Sequence, residues 1–153
     1  MVDLQDHGGL PHPEYDARFY AGVPARRAVA FMIDTVAALL LGLVAVLAIG
    51  IATLGVGFLF GSIVFLLSGF LYRAGSLVRW SATPGMLLTG IELRRHDGEV
   101  FEPGDAVAHT LLFALCLASG IVQLVSVVCM LAMPLGRGVP DLILGSAAIN
   151  RPA

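Results

Sequence analysis

The sequence predicts an all-α integral membrane protein: a transmembrane helical hairpin, a third apolar helical segment, and a small interfacial β-hairpin in the loop between them. Two observations lead there. Of the 153 residues, 58% are hydrophobic and 13% charged, against about 25% charged in a soluble domain. In addition, no charged residue occurs between Thr35 and Tyr72. A chain of this length makes one domain, with too little interior to hide so much apolar surface, so lipid is the expected solvent for most of it.

The elements follow in order. Residues 1–24 begin acidic and lack an early apolar core, so they read as a flexible polar tail and not as a signal peptide. His7, His12, Glu14 and Asp16 fall there, but their spacing fits no zinc pattern. Residues 25–151 form one membrane domain. The apolar stretch that starts at Ala28 and runs to Tyr72 is too long for one crossing, which takes about 20 residues. Two crossings and a turn at "TLGVG" (Thr53 to Gly57) fit, giving helices over 25–52 and 57–79. Gly57 and Gly61 form a GxxxG pair suited to close helix packing.

The next stretch, a loop over 80–105, is polar. Trp80 and Tyr72 suit a membrane interface. "GIELRRHDGEVFEPG" alternates around Asp97-Gly98, a two-residue turn signal, and predicts the β-hairpin. The third segment spans 106–136. As one helix its uncharged part, Thr110 to Gly136, is about 40 Å long, so it either crosses tilted or breaks near Ser119-Gly120 and re-enters. "LLTGIEL" (Leu87 to Leu93) and "LILGSAAI" (Leu142 to Ile149) read as strands that can pair only in the re-entrant case. A tail over 137–153 closes the chain.

All nine basic residues are arginine. Arg18, Arg26 and Arg27 precede the first helix, Arg73, Arg79, Arg94 and Arg95 follow the second, and the turn between the helices has none. The positive-inside rule then places the N-terminus and the loop in the cytoplasm. Net charge is −2, which gives no sign of nucleic-acid binding. Cys116 and Cys129 lie within an apolar run and read as small hydrophobes.

One carboxylate stands out. Asp34 lies seven residues beyond Arg27, on nearly the same helical face and about 10.5 Å deeper. A bare carboxylate in lipid is expensive, so Asp34 must be protonated, hydrated or paired. Arg27 is a poor direct partner, because helical side chains lean toward the N-terminus. A loop group, a water or an arginine from elsewhere would have to close the gap.

The pattern Arg27-x-x-Ala-Phe-x-Ile-Asp34, the turn Thr83-Pro84-Gly85, the Asp-Gly turn and the late "PDLILGS" together resemble the RDD family of bacterial membrane proteins, over roughly Tyr20 to Arg151. The resemblance makes Arg27 the family arginine, and Asp34 and Asp141 its two aspartates. Met86, His109 and Pro140 depart from the usual family residues, in the first two cases by replacing a basic residue or an arginine. The resemblance implies transport, including cation/proton exchange for some members.

Two functions compete on the residues. In the first, the chain is an accessory or assembly-type subunit that packs against a larger membrane complex, with Asp34 as a fixed anchor; a homo-oligomer belongs to the second. In the second, it is an ion or small-solute transporter using Asp34 as a protonatable group. Two crossings without an internal repeat favour the first. No Ser/His/Asp spacing, phosphate loop or metal motif points to an enzyme or a cofactor, and His96 and His109 read as surface or interfacial histidines. The expected location is the bacterial inner membrane.

Overall fold

The computed structural model describes residues 8–152. The fold is mostly helical. Helices α1 (Val23–Ala52) and α2 (Gly61–Trp80) form an antiparallel hairpin; α3 (Pro84–Thr89), β1 (Ile91–Arg94), α4 (Pro103–Ser119), α5 (Ile121–Ala132), α6 (Val139–Leu144) and β2 (Ala147–Asn150) follow. Two helical stretches, Ala17–Ala52 and Val56–Trp80, are long and apolar enough to cross a membrane, and α4 with α5 makes a bent third candidate.

The hairpin has almost no interior of its own. Within α1 only Val23, Ala30, Asp34, Gly42 and Gly50 are buried; the first three share one helical face, while Gly42 and Gly50 lie further round the helix, against Phe65 and Phe58. Leu40, Val44, Ile63 and Leu66 are among the many large apolar side chains left exposed, as expected of helices meant for lipid. At the tip, Thr53 Oγ1 accepts from Gly57 N at 2.6 Å and donates to Ile49 O at 2.7 Å, which closes the "TLGVG" turn.

The core lies at the other end, where α3, the sheet and the start of α4 cap the hairpin. Val23, Ala30, Leu77, Ile91, Leu93, Phe101, Ala106 and Ala148 pack there. Ser81 ends α2 and stitches this cap: its hydroxyl donates to Leu93 O at 2.6 Å and accepts from Phe101 N at 2.9 Å, while Leu93 N donates to Ser81 O at 2.7 Å.

Four expectations need correction. First, Asp97-Gly98 does form a turn, but beyond it only one bridge forms, Arg94 with Val100. β1 pairs instead with β2, antiparallel, with Ile91 opposite Asn150 and Arg94 opposite Ala147. Second, the predicted strands shift: Leu87–Thr89 and Leu142–Leu144 are helical, and pairing begins after Gly90 and Gly145. Third, the expected flexible tail is packed from Gly8 onward: Gly9 N donates to His96 O at 2.9 Å, Tyr20 donates to Pro11 O at 2.8 Å, and Leu10 joins Tyr20, Leu135, Ala147 and Ile149 in a second apolar cluster. His7 lies outside the described residues. Fourth, Gly57 and Gly61 do not share a helix, since Gly57 sits in a 3-10 turn over Val56–Phe60.

The third apolar segment is broken. At Gly120 the backbone takes φ 59° and ψ −56°, a conformation that an L side chain rarely adopts, and α5 leaves α4 bent by 115°. The pairing of β2 with β1 returns the chain end to the cap.

Candidate functional site

Two carboxylates organise the site where the cap meets the hairpin. Asp34 is on the buried face of α1. Its Oδ1 accepts from Tyr72 OH on α2 at 2.8 Å and from Gly85 N on α3 at 2.8 Å, and its Oδ2 accepts from the Thr83 hydroxyl. Thr83-Pro84-Gly85 can do this because Thr83 caps α3 and also accepts from Met86 N at 3.3 Å, Pro84 opens the helix without needing a donor, and Gly85 has no side chain. A Cβ on Gly85 would stand 2.4 Å from Ala30 O and 2.8 Å from Asp34 Cγ. The loop thus supplies two of the three donors and α2 the third. Charge-assisted bonds of this kind offset the desolvation of a buried carboxylate.

Asp141 is the second centre. It is fully buried at the start of α6. Arg27 Nη1 lies 2.5 Å from its Oδ2, His109 Nε2 2.9 Å from its Oδ1, Gly138 N donates to Oδ2 at 3.0 Å and Ser146 to Oδ1 at 3.3 Å. Burial pushes this carboxyl up, but the Arg27 guanidinium and the His109 contact outweigh it and hold Asp141 well below the usual carboxylate range. Arg27 also donates to Gly136 O at 3.2 Å. The site therefore ties α1, α4 and α6 together through one carboxylate, and α1, α2 and α3 through the other.

Arg27, Asp34, Thr83, Gly85 and Asp141 all fall at the base of the cap. Gly57 and Gly61 do not; they lie near the far end of the hairpin. A Cβ on Gly57 would come within 2.8 Å of Ile49 O, and one on Gly61 within 3.4 Å of Val46, so both face α1. His109, expected near the surface, is 1% exposed. It starts no segment; it sits one and a half turns inside α4 with its ring against Phe101 (centroids 5.6 Å apart).

Sequence reasoning missed three contributors. Tyr72, read as an interface residue, is a ligand of Asp34. Ser146, read within a strand, is a ligand of Asp141. Arg73, grouped with the loop, faces the helix junction: its guanidinium stacks 3.8 Å from the Phe113 ring centre and is close enough to feel the charges of Asp34, Arg27 and Asp141. Its position as the first charge after the long uncharged run was the available signal. Arg73, Asp34 and Tyr72 line a cavity of about 230 Å³ between α1, α2 and α4, otherwise walled by apolar side chains such as Leu39, Leu66 and Phe113. Among the described residues no three His, Cys, Asp or Glu side chains converge as a metal site.

An arginine at the start of a helix is paired with a late aspartate, and an aspartate two turns on is held by a separate set of donors. A model of the RDD family matches residues 21–145. The chain belongs to the RDD family. No curated protein and no solved structure matches it. Arg27 pairs with Asp141, and Asp34 is held by the Thr-Pro-Gly turn and Tyr72. His109 is a second partner to Asp141. With its relatives and its apolar helices, this RDD chain is a membrane protein.

Proposed function

We propose that this RDD protein is a structural subunit of a larger assembly in the bacterial inner membrane, with its N-terminus and cap in the cytoplasm, and that it performs no enzymatic reaction. The carrying observation is the state of Asp34. Its carboxylate is filled by three fixed donors, Tyr72, Thr83 and Gly85. Such a group is a clamp between helices and not a vacant ion site. Asp141 is engaged as fully. A hairpin that buries so few of its side chains leaves its remaining apolar surface to lipid and to the helices of other membrane subunits. The arginines around the cap, against none at the hairpin tip, support the orientation.

Purification of the full chain in a mild detergent tests this. Co-migration with a large membrane complex, in defined ratio, supports the reading. A chain that runs alone or as a small homo-oligomer overturns it and favours the second reading, a cation/proton exchanger. That reading has one observation behind it: Asp34 also lines the cavity that holds Arg73.

A further inference from the structure

The two aspartates and two arginines at the helix junction are unequally served. Asp141 has Arg27. Asp34 has neutral donors. Arg73 has neither an ion pair nor a hydrogen bond among the described residues; its Nε is buried without a hydrogen-bond partner, and its guanidinium stacks on the Phe113 ring. A guanidinium at membrane depth with open donors is costly, and stacking on one ring offsets only part of that cost. The cavity it lines is shaped for something that would complete it.

We propose that this cavity holds the headgroup of an anionic phospholipid, with Arg73 as its phosphate-binding cation and the apolar walls taking the adjoining acyl chain. Charge complementarity selects the headgroup: guanidinium donors match phosphate oxygens, and the Asp34 carboxylate, which also lines the cavity, has both oxygens engaged by Tyr72, Thr83 and Gly85. The walls select an amphiphile over a free ion. Leu39, Phe65, Leu66, Phe70 and Leu117 offer almost no polar surface, so a free phosphate would shed its hydration with little in return, whereas an acyl chain belongs there. The location selects the leaflet on the cap side. Arg73 is seven residues, about 10.5 Å, before Trp80 on α2, and Trp80 with exposed Arg79 marks the interface. Gly69 lines the cavity, and a Cβ there would meet nothing within 4 Å. The proposal goes beyond the structural-subunit reading and does not depend on it.

The test uses the full chain reconstituted in vesicles of mixed phosphatidylglycerol and phosphatidylcholine, extracted in mild detergent, with retained lipid identified by native mass spectrometry. Both lipids offer a phosphate, but the choline cation of phosphatidylcholine would stand near the Arg73 guanidinium as a like charge, so wild type is expected to retain phosphatidylglycerol over phosphatidylcholine by about ten-fold. Arg73→Gln is expected to lose that preference, and Arg79→Gln to keep it. Gly69→Leu, which leaves every charge in place and fills the groove, is expected to lose retained lipid altogether. It carries the test if Arg73→Gln does not accumulate. Equal retention of the two lipids by wild type overturns the proposal, as does an undiminished preference in the Gly69→Leu or Arg73→Gln protein. Displacement of the lipid by inorganic phosphate also overturns it and makes the cavity a small-anion site. Asp34→Asn stability, which bears on the clamp, is a separate measurement.

Discussion

Arg27 Nη1 lies 2.5 Å from Asp141 Oδ2, although 114 positions separate the two residues in the chain. One end of the contact is in the first turns of α1 and the other at the start of α6, so a single ion pair fixes how the end of the membrane domain returns to its beginning. The pair is buried and further satisfied by His109, Gly138 and Ser146, so breaking it from one side leaves an uncompensated charge.

Arg27→Ala is therefore expected to cost about 3–5 kcal/mol, the range for orphaning one member of a buried pair. Arg26→Ala, which removes an exposed arginine bonded only to Thr89 O, should cost less than about 1 kcal/mol. Thermal unfolding in detergent compares them, and similar melting temperatures for the two variants would show that the buried pair contributes nothing.

Acid stability follows from Asp141. Its folded-state pKa is held below the unfolded value by Arg27 and His109, so its contribution is present above the ordinary carboxylate range, near about 3.9. That contribution is lost progressively as pH falls through that range toward the depressed value. Asp141→Asn should be less stable than wild type at neutral pH, with the gap narrowing in acid. A gap that widens on acidification contradicts the sign.

Gly85 tests the fit of the turn against α1. Gly85→Ala places a methyl group against Ala30 O and Asp34 Cγ, and the backbone has to move; about 1–3 kcal/mol of destabilisation is expected. Gly75→Ala, on α2 where a Cβ meets nothing within 4 Å, should be neutral or stabilise by about 0.5–1 kcal/mol. Melting curves of the two variants separate close approach from helix propensity.

The parts of this fold that depend on local pattern were legible in the sequence. The uncharged run gave both long helices and their turn, and Ser119-Gly120 marked the break in the third segment. The parts that depend on partners distant in sequence were not. The sheet is the exception: Ile91–Arg94 read as half of a local hairpin on the Asp97-Gly98 signal and also, in the re-entrant case, as a partner of the Leu142–Ile149 stretch, and the second pairing is the one that forms, with Ala147–Asn150. Leu10 and Tyr20 were two apolar residues in a polar stretch, and only the second apolar cluster gives them a place. At the site, the motif residues Arg27, Asp34 and Asp141 were identifiable, and the need for a loop group to close the gap at Asp34 followed from side-chain direction along a helix. That Tyr72 and His109 would supply ligands required the packing of α2 and α4, which no spacing encodes.

The broken third segment predicts a topology. In a background with Cys116 and Cys129 replaced by alanine, single cysteines at exposed Glu99 and exposed Arg151 should react with a membrane-impermeant reagent from the same side of the membrane. Labelling from opposite sides would require α4 and α5 to cross as one span and would separate β1 from β2.

The account rests most heavily on Asp34 as a clamp, and Asp34→Asn measures it directly. An amide presents its NH₂ group to donors that now face a carboxylate, so about 1–3 kcal/mol of stability should be lost, seen as a lower melting temperature in detergent, while cation flux in proteoliposomes stays at the wild-type level. A variant that melts like wild type yet abolishes a cation flux that wild type supports would contradict the clamp and make Asp34 a transport site.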